Sequence, residues 1–315
     1  MRNITKIGIL SLAAAILIAV FLFTDIRGSW DYVLPRRTEK VMAIILTGAA
    51  IAFSTVVFQT ITNNKILTPS IIGLDSLYLL IQTVMIFTLG STHTLMGKNI
   101  NFFISIGLMI LFVALLYKVI FKREGTNIYF LLLVGLIFGT FFQSLSSFMQ
   151  VLIDPNEFLL VQDKMFASFN NINTDLLYIS FILIVLVMLY FMRFTKYLDV
   201  LSLGKDQAVN LGVDYDYVVK RLLVVVAILI SVSTALVGPI TFLGLLVVNV
   251  AYQLFSTYKH TYLILGSVLI SIVALIGGQL IVERVFTFST TLSVIINFIG
   301  GVYFIYLLLK ESKKW

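Results

Sequence analysis

Apolar residues in this chain come in long, nearly unbroken runs, and that spacing leaves few folds open. The runs lie near 7–23, 39–61, 70–89, 101–121, 127–151, 176–193, 222–238, 242–255, 262–282 and 292–309. Most approach the length of about 20 residues that carries an α-helix across a bilayer. A bilayer core offers no water to hydrogen-bond the backbone, so a spanning run must form helix, and each run predicts one. Ten such spans use about 200 of the 315 residues and leave only short connections. The chain is therefore expected to be one all-α polytopic membrane domain over 1–315. With 60% apolar and 12% charged residues it cannot surround a single core with a solvated surface. That excludes a soluble enzyme or a nucleic-acid module.

The net charge of +7 fits a membrane protein whose Lys and Arg hold loops in the cytoplasm. With ten helices and the N-terminus inside, fifteen basic residues fall on cytoplasmic segments, Arg2, Lys6, Lys310, Lys313 and Lys314 among them. Seven fall outside: Arg27, Arg36, Arg37, Lys40, Lys98, Lys164 and Arg284. This bias predicts that both termini are cytoplasmic. The first run follows Arg2 and Lys6 but ends without a small-x-small cleavage site, so it reads as a retained helix. Zero cysteines exclude disulfides and thiol chemistry, and His93 and His260 lie too far apart in sequence to suggest a metal site. No metal or cofactor is expected.

Two stretches are too polar for membrane and too long for turns: 152–175 outside and 194–221 inside. Gly238-Pro239 breaks one apolar stretch into two short halves, an arrangement tolerated at membrane depth only against protein or a water-filled path. Several helices carry polar and small residues at helical spacing. On the fifth these are Gly135, Gly139, Gln143, Ser146 or Ser147, and Gln150, beginning with a GxxxG. On the second they are Gly48, Ala52, Thr55, Gln59 and Asn63, and on the tenth Ser293, Asn297 and Gly300 or Gly301. Close packing between helices explains any one stripe. Several together suit a solute path.

Asp75 lies five residues into the third run. A charged Asp at a helix centre costs about 2.5–3.5 kcal/mol on insertion scales, so it needs a partner or a role. Its place after Thr68-Pro69 puts it near the cytoplasmic end, within reach of water. A structural hydrogen-bonding role and an ion-coupling role both remain open. No GxxxxGK[ST] phosphate loop and no catalytic acid pair or Ser/His/Asp set is present, so any ATPase must be another polypeptide.

From Leu34 the chain reads LPRRTEKVMAIILTGAAIAFSTVVFQTITNNKILTPSIIGLDS. Pro35-Arg36, Gly48-Ala49-Ala50, Gln59, Asn64, Pro69 and Gly73 resemble the motif of the FecCD-type family, permeases of iron-chelate and vitamin B12 importers. LSLGKDQAVNLGVD at 201–214 is similar to that family's cytoplasmic coupling segment. VGPITFLGLLVVNVAYQL at 237–254 is similar to its Gly-Pro-Ile-x-Phe-Val-Gly-Leu motif. Departures occur at Lys65-Ile66-Leu67, Val248-Asn249 and Thr291-Leu292-Ser293. They look more like the branch that carries catechol-type siderophores, of the petrobactin and anguibactin kind.

The resemblance implies a type II ABC importer permease fold of ten helices, and a ferric siderophore as cargo. It implies a second permease subunit, identical or not, two ATP-binding subunits, an extracytoplasmic binding lipoprotein and a bacterial cell membrane. It implies that Arg36, Arg37 and Arg284 dock the lipoprotein. Four of the seven outer cations lie between Arg27 and Lys40, against the positive-inside trend, which an acidic partner would explain. Segment 199–220 would couple to the ATPase, with Leu203, Ala208 and Leu211 on one face between Gly204 and Gly212. The path would be lined mainly by the fifth and tenth helices, with Gln143, Ser147, Met149 and Asn297 as candidates. Haem or vitamin B12 as cargo, or an ion-coupled secondary transporter using Asp75, are the alternatives.

Overall fold

The structure is a computed structural model that describes residues 3–26, 28–90, 97–120, 128–170 and 172–312. Arg2, Arg27, His93, Lys122, Arg123, Lys313 and Lys314 lie outside the described residues. Thirteen α-helices form among the described residues. They are α1 (Asn3–Phe23), α2 (Trp30–Thr62), α3 (Leu74–Leu89), α4 (Lys98–Ile120), α5 (Ile128–Leu152), α6 (Pro155–Lys164), α7 (Thr174–Phe191), α8 (Thr195–Leu201), α9 (Lys205–Asn210), α10 (Tyr215–Val237), α11 (Leu243–Leu254), α12 (His260–Arg284) and α13 (Leu292–Ser312). Eight are long and apolar enough to cross a membrane, and α3 and α11 are shorter apolar helices. Each of the ten apolar runs thus appears as a helix in the expected order.

Hydrophobic runs mark only the part of a helix that lipid or protein covers. α2 starts nine residues before its run, and α10 seven before its own. At 33 residues α2 is about 50 Å long, well beyond a hydrocarbon core of about 30 Å. Its first turns therefore project past the bilayer and carry Pro35, Arg36 and Arg37. The two polar stretches fold into surface helices. α6 is capped by Asp154, which accepts the Asn156 N–H, and it packs on α3. α8 and α9 form between α7 and α10.

α2 is the central helix, packed by α7, α10, α11 and α12, and most of its length from Val41 onward is buried. α1 rests on the outside of α12. The hydrogen bonds between remote segments sort the connections onto two faces. Lys6 Nζ donates to Leu254 O, and Tyr215 donates to Ile61 O, on one face. Lys40 reaches Asn170 and Glu283, and Arg284 reaches Thr24, on the other. The start of α1 therefore shares a face with α8, α9 and the end of α13.

Candidate functional site: two faces and the polar stripes

On the face away from the start of α1, three arginines singled out in the sequence meet different fates. Arg36 is exposed, with its guanidinium 4.3 Å from the Tyr32 ring centroid. Arg37, one residue on, points the other way around the helix. Its guanidinium is spread over the Phe21, Leu22, Thr24 and Asp25 carbonyls, at 2.8, 3.3, 2.7 and 3.1 Å. These are orphan acceptors at the C-terminus of α1, where a cation also suits the helix dipole. Arg37 is thereby a clamp between α1 and α2, and only Arg36 of the pair remains free for a partner. Arg284 is exposed and bonds the Thr24 hydroxyl. Beside them a cavity of about 510 Å³ is walled by Tyr32, Arg36, Lys40, Phe169 and Ile172. Lys40 and Glu283 form an ion pair at 2.9 Å beneath it, and Asn170 accepts from both Lys40 and Gln279. This ties α2 and α12 to Asn170, which follows α6.

On the opposite face, α9 is held between two glycines. The Val213 N–H bonds the Ala208 carbonyl and the Gly212 N–H bonds the Val209 carbonyl, a Schellman stop with Gly212 at φ +81. Asp214 then caps α10 by accepting the Tyr217 N–H at 3.1 Å. The expected shared face of Leu203, Ala208 and Leu211 is corrected here. Ala208 is fully buried, whereas Leu203 and Leu211 are 56% and 63% exposed. The helix covers only 205–210, so the other two residues lie outside it and the 3.6-residue spacing does not relate them. The apolar knob presented outward is Leu203, Val209 and Leu211.

The polar stripe of α5 is divided. Gly135 presses against Ile72 of a short 3-10 turn over Pro69–Ile72, and Gly139 against Gly73, which caps that turn. Ser146 bonds Thr83 of α3 at 2.8 Å, and Gln150 donates to Ser146. Gln143 and Ser147 instead face outward with Thr140 and Ser144, among exposed Phe141 and Phe148. Polar side chains exposed at this depth call for water or a second protein surface. Met149 is half-buried against the core. Asn297 accepts the Phe242 N–H at 3.4 Å, so it serves the start of α11. The α2 stripe is consumed by packing from Gly48 to Gln59, and only Asn63 at its end is exposed: Gly48 admits Ser271, and Thr55 fills the space above Gly244.

The expectation that Asp75 sits near a helix end within reach of water is corrected: it lies inside the bundle. After Asn64 the chain turns back into the bundle, and α3 begins deep inside; its 16 residues rise about 24 Å, short of a full span. Asp75 sits in the first turn of α3 and accepts from Thr234 and Thr241, at 3.5 and 3.4 Å, on either side of the Gly238-Pro239 break. Thr241 stands just before α11. The carboxylate thus meets the N-terminal ends of two helices, whose partial positive charges offset its own. It staples the returning chain to the broken helix.

Sequence reasoning missed one cluster. His260 has two side-chain partners: Asp199 on α8 and Thr60 on α2. They are 61 and 200 residues away, and no local pattern marks them. Among the described residues no group of three or more His, Cys, Asp or Glu could hold a metal.

A bundle of ten apolar helices, broken at Gly238-Pro239 and carrying an exposed polar stripe, defines a multi-pass membrane permease. The chain belongs to the FecCD transport family, whose model matches residues 5–310. It is 69% identical to the petrobactin import system permease protein YclO of Bacillus subtilis (strain 168), over 100% of both chains. It is 26% identical to YclN of the same organism, also described as a petrobactin import system permease protein, over 88% of this chain and 85% of that one. A solved metal-chelate type ABC transporter in an inward-facing conformation shares the fold, with a TM-score of 0.85 and 22% identity, covering 98% of this chain and 100% of that one.

Proposed function

We propose that this chain is one permease subunit of an ATP-driven importer of ferric petrobactin, a catecholate siderophore complex. The full-length likeness to YclO carries the reading. YclO and YclN are two different petrobactin permeases of one organism, and this chain is far closer to the first. That favours pairing with a second, non-identical permease. In this reading the face bearing α8, α9 and the start of α1 is cytoplasmic, as its excess of Lys and Arg favours. The knob of Leu203, Val209 and Leu211 enters a groove on a separate ATPase subunit, with Gly204, Ala208 and Gly212 shaping the piece behind it. An extracytoplasmic binding lipoprotein rests on the other face, where Arg36 and Arg284 offer exposed guanidinium groups and Arg37 fixes the helix that presents Arg36. The cargo passes between the two permeases along the outward side of α5, past Gln143 and Ser147, with Met149 and Asn297 supporting that wall.

Closure of two ATPase subunits displaces α9 and tilts the helices attached to it, so that the cavity opens alternately to each side. The ion-coupled alternative needs Asp75 free to exchange a cation, yet that group is bonded to Thr234 and Thr241. The chain has no cysteine, so Leu211→Cys creates a single thiol. In a complex carrying it, a short bifunctional reagent should join this permease to the ATPase subunit, and iron-starved cells lacking the gene should regain ferric petrobactin uptake when it is restored. Uptake that persists without the gene sinks the cargo assignment.

A further inference from the structure

The coupling face holds a charged cluster that the transport reading leaves without a task. His260 opens α12 and is 3% exposed. Its Nδ1 lies 2.6 Å from Asp199 Oδ1 on α8, and its Nε2 lies 2.9 Å from Thr60 Oγ1 on α2. The same Asp199 oxygen accepts the His260 main-chain N–H at 2.9 Å. One carboxylate therefore grips the first residue of α12 by backbone and side chain, where negative charge also suits the helix N-terminus. The Thr60 hydroxyl spends its one proton on the Val56 carbonyl at 2.8 Å, and so stands as an acceptor toward His260 Nε2.

A push on α9 has two routes into the membrane helices. One follows the main chain into α10 through Gly212, which sits at φ +81 with nothing within 4 Å of where a side chain would begin. No side chain braces that joint at Gly212, and the local backbone bonds of the helix stop hold it. The nearby Lys205–Asp216 pair spans 3.7 Å with both side chains about half exposed, and water screens it. The other route runs through α8, which packs on α9, into short bonds to a buried ring. It ends on α12 and α2, which pack along each other.

We infer that Asp199, His260 and Thr60 form the latch that carries displacement of the coupling segment into α12 and α2, with Asp199 and His260 as positioning residues for energy coupling. This rests on the coupling role proposed above for α9. The test uses the complete complex in proteoliposomes and reads ferric petrobactin moved per ATP hydrolysed. Asp199→Asn keeps the size and removes the charge at a half-exposed position. It should lower that ratio several-fold while ATP hydrolysis continues and the Leu211→Cys cross-link forms as before. Thr60→Val, which removes only the last hydroxyl, should lower it in the same direction and replaces Asp199→Asn if that variant fails to assemble. An unchanged ratio in an assembled variant overturns the latch. Absence of the Leu211→Cys cross-link in the otherwise native complex overturns the coupling role itself, which is a separate failure.

Discussion

α2 and α5 carry the same kind of stripe, small and polar residues at helical spacing, and the fold uses them in opposite ways. In α2, 83% of the apolar window is buried, against 33% in α5. Every member of the α2 stripe from Gly48 to Gln59 is spent on neighbours within the chain. In α5 the stripe splits by about a quarter turn. Gly135, Gly139, Ser146 and Gln150 face α3 and the Pro69–Ile72 turn, while Gln143 and Ser147 face outward. A polar stripe on a membrane helix is thus a statement about close approach and hydrogen bonding, and only its exposed part is a candidate for contact with cargo or a second subunit.

That contrast can be broken most severely at the packed part. Gly73→Ala places a methyl 2.8 Å from the Gly139 Cα while holding a side chain at φ +88. Backbone strain and overpacking each cost about 1–3 kcal/mol, so the variant should lose about 3 kcal/mol or more of stability. Gly8→Ala, with open space around it, should lose nothing measurable. Thermal unfolding of the purified complex in detergent distinguishes the two. Equal behaviour would mean that the α3–α5 contact is looser than drawn here.

A middle-sized effect is expected at the polar part of the packed face. Ser146→Ala removes a buried hydroxyl and the two bonds it makes, to Thr83 and from Gln150, while Thr83 keeps the Leu79 carbonyl. The expected loss is about 1–2 kcal/mol, read in the same unfolding experiment. The smallest effect on stability belongs to the outward part. Gln143→Leu should leave stability within about 0.5 kcal/mol, because no neighbour in the chain depends on it. Its consequence should appear in uptake, as a several-fold fall in the transport rate at unchanged protein level. Unaltered uptake would remove α5 from the path and return its stripe to packing alone.

The number, order and type of the membrane helices were legible in the sequence, because lipid forces any spanning segment into helix and apolar runs report coverage directly. Helix ends in water were not: the first turns of α2 and α10 are polar, and hydropathy is silent about helix that lies outside the bilayer. The Schellman stop at Gly212 and the cap at Asp214 were readable, since both are local backbone chemistry. The outward face of the α9 segment was misread because helical spacing was applied from Leu203 to Leu211, beyond a helix of six residues.

What the amino-acid sequence determined by itself is the material: ten apolar helices in order, a break at Gly238-Pro239, a distribution of charge and a family signature. Those follow from the bilayer as solvent and from short-range conformational preference, which act residue by residue. What only the tertiary structure decided is the use of each polar group. Arg36 and Arg37 are neighbours in the chain, yet one is free and the other is bound to the end of α1. Asp75 moves from the membrane edge to the junction of α3, α10 and α11, and His260 acquires Asp199 and Thr60. The reason is that a hydrogen bond or ion pair depends on distance in space, and the chain's returns through the bundle set those distances over separations that no local pattern encodes.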